Sequence, residues 1–162
     1  MVYWWDTIVF AEFLGQYVRD TFTNPDLPPY YRDEKLHEYY DPWMEKILFK
    51  HWMYDCVDKQ TTKFAFPMWG DVLTSGEETR ELTNYYTSGK IIASWIHFLD
   101  VPGDSGVYHQ LKKPGTLGKR IYYPERKTDH ILFSPPWIKR GIDKVEGNHT
   151  RTFVAGTIVR LN

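Results

Sequence analysis

The segment D-H-I-L-F-S-P-P-W-I-K-R-G, Asp129 to Gly141, with Arg151 downstream in N-H-T-R-T-F-V-A-G, constrains this chain more than any other. A polar turn enters a short apolar run, and two prolines and a tryptophan then turn it. A polar residue followed by glycine and a β-branched residue closes the segment, and after a polar loop Arg151 opens another apolar run. Proline cannot donate to a ladder inside a central strand, so these are short strands separated by turns. Similar runs recur upstream, broken by Gly and Pro: Phe64–Trp69, Lys90–Leu99, Gly106–Leu111 and Arg120–Tyr123, then His130–Phe133 and Thr152–Leu161 within the region just described. Regular spacing of such runs indicates a sandwich or barrel.

The N-terminal third reads differently. Val9, Phe13 and Tyr17, beside Phe10, Leu14 and Val18, predict a helix over Asp6–Arg19 capped by Asp6, although Tyr3–Val9 also suits a strand. Thr23–Tyr31, with its Asn-Pro and Pro-Pro, is an extended connector. Asp41-Pro42 is a helix start, an N-cap carboxylate before a proline at the first helical position. The helix it opens, Pro42–Lys59, carries a wide apolar stripe suited to packing on a sheet, and the lone cysteine, Cys56, falls within it as a buried thiol. Helices first and strands after give an α+β, mainly β, class. At 162 residues this is a single domain, helical over 1–60 with a β core over 64–162.

A net charge of −1 excludes an electrostatic footprint for nucleic acid or an anionic membrane. One cysteine excludes an internal disulfide and any cysteine-based zinc site. Asp6 and Glu12 interrupt the apolar N-terminus and no basic stretch precedes it, so no signal peptide is expected, and no apolar run is long enough to cross a bilayer. The expected location is cytoplasmic or within a virion. There is no nucleophile elbow, zincin helix or phosphate-cradling glycine loop. Glu77, Glu78 and Glu81, and likewise Glu34, His37 and Glu38, are expected to be solvated surface groups.

The Asp129–Gly141 segment and Arg151 resemble the closing strands of the 2-oxoglutarate/Fe(II)-dependent oxygenases, particularly the small phage and bacterial prolyl-hydroxylase-like type. The pattern there runs roughly G-D-L-x-x-F-P-x-W-x-x-H-G-V, then a loop, then R-x-S-x-x-F-N. Upstream, A-S-W-I-H-F-L-D-V-P at Ala93–Pro102 is similar to S-G-V-Y-Y-L-x-V-P, and Met68-Trp69 with Gly76 fits an earlier W…G spacing. The resemblance covers Phe64 to the C-terminal residue. It implies a double-stranded β-helix, jelly-roll-like, and the apolar stripe of Pro42–Lys59 is expected to pack the N-terminal helices on the outer face of one sheet. By strand alternation Trp95, Phe98 or Ile96, Leu132, Val154 and Ile158 then supply core contacts.

The resemblance also implies a facial triad of two histidines and a carboxylate around iron. Counting back from Val101-Pro102 puts the first pair at Tyr86 and Ser88; counting forward from Gly76 puts it at Leu82 and Asn84. The third position is Arg140, a permanent cation without a lone pair to give. No metal ligand set and no cofactor is therefore expected. Arg151 matches the family's 2-oxoglutarate-binding arginine and is the cofactor-binding residue should 2-oxoglutarate or another anion bind. A displaced triad would draw on His97, Asp104 and His109, since His97 and Asp100, three apart on a strand, point to opposite faces.

Two functional expectations follow. One is a non-catalytic, oxygenase-like β-helix protein acting as a structural or assembly subunit, a phage virion being the concrete version, whose partners are other protein subunits. The alternative is an active 2-oxoglutarate/Fe(II)-dependent dioxygenase with a displaced metal site. Aromatic residues make up 17% of the chain, in doublets at Tyr30-Tyr31, Tyr39-Tyr40, Tyr85-Tyr86 and Tyr122-Tyr123. Neighbouring residues of a strand face opposite ways, which leaves rings for contact with partners, above all in Met1–Tyr40.

Overall fold

The computed structural model describes residues 4–28, 31–47, 63–74, 90–101, 107–112, 119–122, 127–135, 139–142 and 149–161. Strand β1 (Trp4–Thr7) precedes helices α1 (Ala11–Phe22) and α2 (Glu34–Ile47). Then come β2 (Phe64–Ala65), β3 (Met68–Leu73), β4 (Lys90–Asp100), β5 (Val107–Lys112), β6 (Lys119–Tyr122), β7 (His130–Ser134), β8 (Lys139–Ile142) and β9 (Arg151–Arg160). One antiparallel sheet runs β1-β7-β4-β9-β2, with β3 also on β9, and a second runs β6-β5-β8. From β4 onward the chain passes back and forth between the two sheets, as a jelly roll does. The protein is α+β and mainly β.

The register of the main sheet sorts its side chains into two faces. Trp95 pairs with Gly156 and Phe133, Ile96 with Ala155 and Leu132, and His97 with Val154 and Ile131. Residues opposite one another share a face. On the helix side, Ala93, Trp95, Ile131, Phe133, Val154 and Ile158 form one core with Leu14 and Val18 of α1 and Leu36, Tyr40 and Met44 of α2. On the far side, Leu73, Ile96, Phe98, Leu132, Phe153 and Ala155 form a second. Every residue expected in the core is buried. Ile96 and Phe98, two residues apart, share the far face and are both buried, and Trp95, next to Ile96, is buried on the helix side, because β4 is covered on each face.

Two glycines mark close approaches. A Cβ at Gly156 would lie 2.5 Å from the Pro67 carbonyl oxygen and 2.7 Å from the Trp95 indole, so β9 must be bare for that ring to cross it. A Cβ at Gly70 would lie 2.5 Å from Phe22 and 2.7 Å from Val18, which lets α1 sit directly on β3.

The N-terminal elements differ from the sequence reading. Trp4–Thr7 takes the strand alternative and pairs with β7, Asp6 opposite Ile131. Helix α1 therefore starts not at Asp6 but at Ala11, with no cap from its own N-cap side chain. Its buried stripe is Leu14 and Val18 with Phe10 and Phe22 packed alongside, which leaves Val9 and Phe13 outside. Helix α2 begins at Glu34, well before Asp41, and Pro42 lies inside it. Asp33 is the cap: its carboxylate accepts the Leu36 amide at 2.9 Å and its carbonyl the His37 amide at 3.2 Å. Leu36, Tyr40 and Met44, four residues apart, carry the helix past the proline because each is fully buried. Residues 48–59 of the expected helix, Cys56 among them, lie outside the described residues.

Candidate functional site

Arg151 opens β9 opposite Leu73, and its alternation with Phe153 and Ala155 places it on the far face of the main sheet. It is buried. The same face carries a row of hydroxyls across three strands, Ser134 on β7, Ser94 on β4 and Thr157 on β9, paired in register and all buried. Arg140 belongs to the other sheet, on β8, where the backbone register sets it opposite His109 of β5. Tyr86, Ser88, Leu82, Asn84, Gly76 and Asp104 lie outside the described residues, as do Glu77, Glu78 and Glu81.

These residue types do not fit a ferrous ion. Arginine presents five N–H donors and no acceptor, so Arg140 cannot take the place of a histidine ligand. Among the described residues no group of three or more His, Cys, Asp and Glu side chains is arranged to hold a metal. The displaced triad also loses its first member. His97 faces the helices, opposite to Arg151, and both ring nitrogens are engaged there. The expectation that His97 and Asp100 face opposite ways is overturned by a register shift between Phe98 and Asp100. The extra residue, Leu99, turns Asp100 toward α1, where it pairs with Arg19 at 2.9 Å.

His97 is the hub of a buried network that sequence reasoning did not anticipate. Its Nε2 lies 3.0 Å from the Ile8 carbonyl and 3.3 Å from Asp129 Oδ1, and its Nδ1 lies 2.5 Å from the Tyr40 hydroxyl. Both partners of Nε2 only accept, so Nε2 carries the proton and Tyr40 donates to Nδ1; the ring is the neutral Nε2–H tautomer. Burial pushes the His97 pKa below the ordinary histidine value, against the raising effect of Asp129. Burial, with Asp129 adding to it, holds the Tyr40 phenol well above its usual value. Burial raises the Asp129 pKa, but hydrogen bonds from His97 and from the Ala11 and Phe10 amides outweigh it, leaving that carboxyl below the usual range.

A second polar cluster overturns the surface reading of His37. The ring is buried, with Nδ1 2.9 Å from Asp41 and Nε2 3.1 Å from Arg32. Arg32 can only donate, so the neutral ring accepts at Nε2 and donates from Nδ1 to Asp41. Asp33 accepts from Tyr17 at 2.6 Å, and burial followed by that bond pushes the Tyr17 phenol up to about 12. Glu34 and Glu38 are exposed, as expected. The Tyr39-Tyr40 doublet lies on a helix and not on a strand: Tyr40 is fully buried and Tyr39 packs edge-on to Phe10.

No family model matches the sequence, and no curated protein matches it. Solved structures do match. A prolyl-4-hydroxylase from Pseudomonas putida superposes with a TM-score of 0.60 at 10% identity, covering 97% of this chain and 85% of that one. An oxidoreductase of the 2OG-Fe(II) oxygenase family from Burkholderia pseudomallei matches with a TM-score of 0.47 at 10% identity, over 61% of this chain and 46% of that one. At such identity a likeness speaks to fold and not to activity. The chain has the fold of the Pseudomonas enzyme, the oxygenase-like double-stranded β-helix, with helices α1 and α2 packed on one sheet.

Proposed function

We propose that this protein is a non-catalytic user of the oxygenase fold, a structural or assembly subunit that binds other protein subunits, as in a phage virion. The observation that carries the reading is Arg140 on β8, a donor-only cation at the position the resemblance assigns to the metal-binding histidine. The far face of the main sheet is in keeping with it, because Leu73, Ile96, Phe98, Leu132 and Phe153 form an apolar cluster there beside Arg151. The contact surface we assign to the N-terminal segment is narrower than the whole of Met1–Tyr40. Leu14, Val18, Leu36 and Tyr40 are core, whereas Val9 and Phe13 are 65% and 56% exposed, with Phe13 stacked on Tyr39 at 6.3 Å.

Two measurements test this. Elemental analysis for Fe, Mn, Ni and Zn after reconstitution with Fe(II) should find no stoichiometric metal; stoichiometric iron, or succinate formed from 2-oxoglutarate, overturns the non-catalytic reading. Light scattering after size exclusion, on the chain alone and mixed with candidate partner subunits, should show assembly that Val9→Ser with Phe13→Ser weakens. Point variants are used because deletion of Met1–Tyr40 would strip core residues, Ile8, Leu14, Val18, Leu36 and Tyr40 among them, and unfold the protein. A chain that stays monomeric and partner-free throughout overturns the assembly reading.

A further inference from the structure

Four elements meet at His97. The ring projects from β4 and takes the Tyr40 hydroxyl from α2, the Ile8 carbonyl from the stretch between β1 and α1, and lies beside the Asp129 carboxylate from the turn before β7. Its neighbours in register, Val154 of β9 and Ile131 of β7, are apolar, and Phe10 stands edge-on to it at 6.2 Å. Asp129 and Tyr40 are thus the titratable groups facing it. Asp129 in turn grips the same stretch of chain. Its Oδ1 accepts the Phe10 amide at 3.0 Å and the Ala11 amide at 2.8 Å, and its carbonyl accepts the Ile8 amide at 2.9 Å.

We propose that His97 is an acid-operated latch for the junction between β1 and α1: the junction is closed while the ring is neutral and opens when the ring takes up a proton. The reason is geometric. With Nδ1 protonated, the ring has a second donor aimed at the Tyr40 oxygen, and the hydroxyl proton must turn away. The Tyr40 side chain is fully buried and makes no other hydrogen bond among the described residues. A hydroxyl proton without an acceptor in a dry site is costly. The new charge is drawn to Asp129, whose Oδ1 already holds the Phe10 and Ala11 amides, so satisfying the ring loosens the junction.

The sign follows from proton linkage. The closed form holds His97 with a lowered pKa, whereas an opened junction lets water reach the ring and restores its ordinary value of about 6.5. The open form then binds the extra proton, so opening is favoured below about pH 6.5, by up to tenfold per pH unit.

Hydrogen exchange on the full chain, followed by NMR from pH 7.5 to 5.5 and corrected for intrinsic exchange, tests this directly. Protection at the Ile8, Phe10 and Ala11 amides should fall up to about tenfold per unit below pH 6.5, while amides of the β4–β9 ladder hold theirs. In Tyr40→Phe the neutral ring loses its donor, the closed-state pKa rises, and the slope should flatten. In His97→Gln it should vanish. Should His97→Gln fail to fold, the ring resonances of the wild type still decide: His97 must stay neutral while the junction is closed. Junction protection that is unchanged or rises with acid, an equal loss in the ladder, or a ring that titrates near 6.5 with the junction closed, each overturns the latch.

Discussion

The Asp129 carboxylate caps helix α1 from 118 residues away, its Oδ1 accepting the Ala11 amide at 2.8 Å. A helix N-terminus leaves amide donors without partners, and a nearby Ser, Thr, Asp or Asn ordinarily supplies the acceptor. Here Phe10 occupies the cap position and the acceptor comes from a turn that also donates its own amide to Phe98 at 2.7 Å. Asp129 does this with φ at 66°, in the left-handed region that Asp and Asn tolerate better than other side chains.

Asp129→Ala should therefore lose about 1–3 kcal/mol in urea unfolding, from the missing cap and from an alanine held at positive φ. Asp129→Asn keeps an acceptor and tolerates that backbone, so it should lose much less. The two differ with pH. The depressed Asp129 pKa means its contribution is complete above the unfolded value of about 3.9 and disappears as pH falls through the folded one. Only the wild type should show that acid limb; equal pH profiles for wild type and Asn would refute the assignment.

The glycines give an ordering. Gly156→Ala pushes a methyl against the backbone oxygen of Pro67 and the packed Trp95 ring, which have little room to move. Gly70→Ala meets the side chains of Phe22 and Val18, which can shift with α1. Both should destabilise by about 1–3 kcal/mol, Gly156→Ala the more. Chemical denaturation of the two variants decides the order.

Alkaline titration of tyrosine absorbance separates the phenols. Tyr40 should not ionise before the protein unfolds, and Tyr17 should ionise only near 12. A raised folded pKa contributes stability that is present below the unfolded value of about 10 and lost as pH rises through the folded one. Tyr17→Phe should remove the Tyr17 share of alkaline destabilisation, read as the pH midpoint of unfolding.

Arg140→His should leave the protein without iron. Tyr86 and Ser88, the other positions that the resemblance assigns, offer no histidine or carboxylate, and one imidazole does not make a facial triad. Calorimetry with Fe(II) under anaerobic conditions should show no stoichiometric binding by this variant.

The sequence was most legible where local pattern and tertiary structure agree. The β4, β7 and β9 runs were found to within a residue because each is a continuous apolar strand between polar turns. It misled where a strong local signal lost to packing. Asp41-Pro42 is a good helix start, yet Asp33 and the buried Leu36–Tyr40–Met44 spacing begin α2 earlier. Asp6 has the chemistry of a cap, but pairing with β7 claims its stretch of chain. His97 could be placed on a strand and no more, since its partners come from positions 8, 40 and 129, and no local spacing records such a meeting.

Strand β9 lies between β4 on one side and β2 and β3 on the other, and every strand of the main sheet precedes it in the chain. During synthesis β2 and β3 thus leave the ribosome with their ladder partner still unmade, and β4 lacks one of its two. Trp95, Ile96 and Phe98 keep one flank open until Arg151–Arg160 arrives. Only the β1–β7–β4 ladder of this sheet can form before then, and the remaining pairings span long stretches of chain, which slows folding and prolongs exposure of apolar edges. A nascent chain arrested before Arg151 is the species on which a chaperone would act.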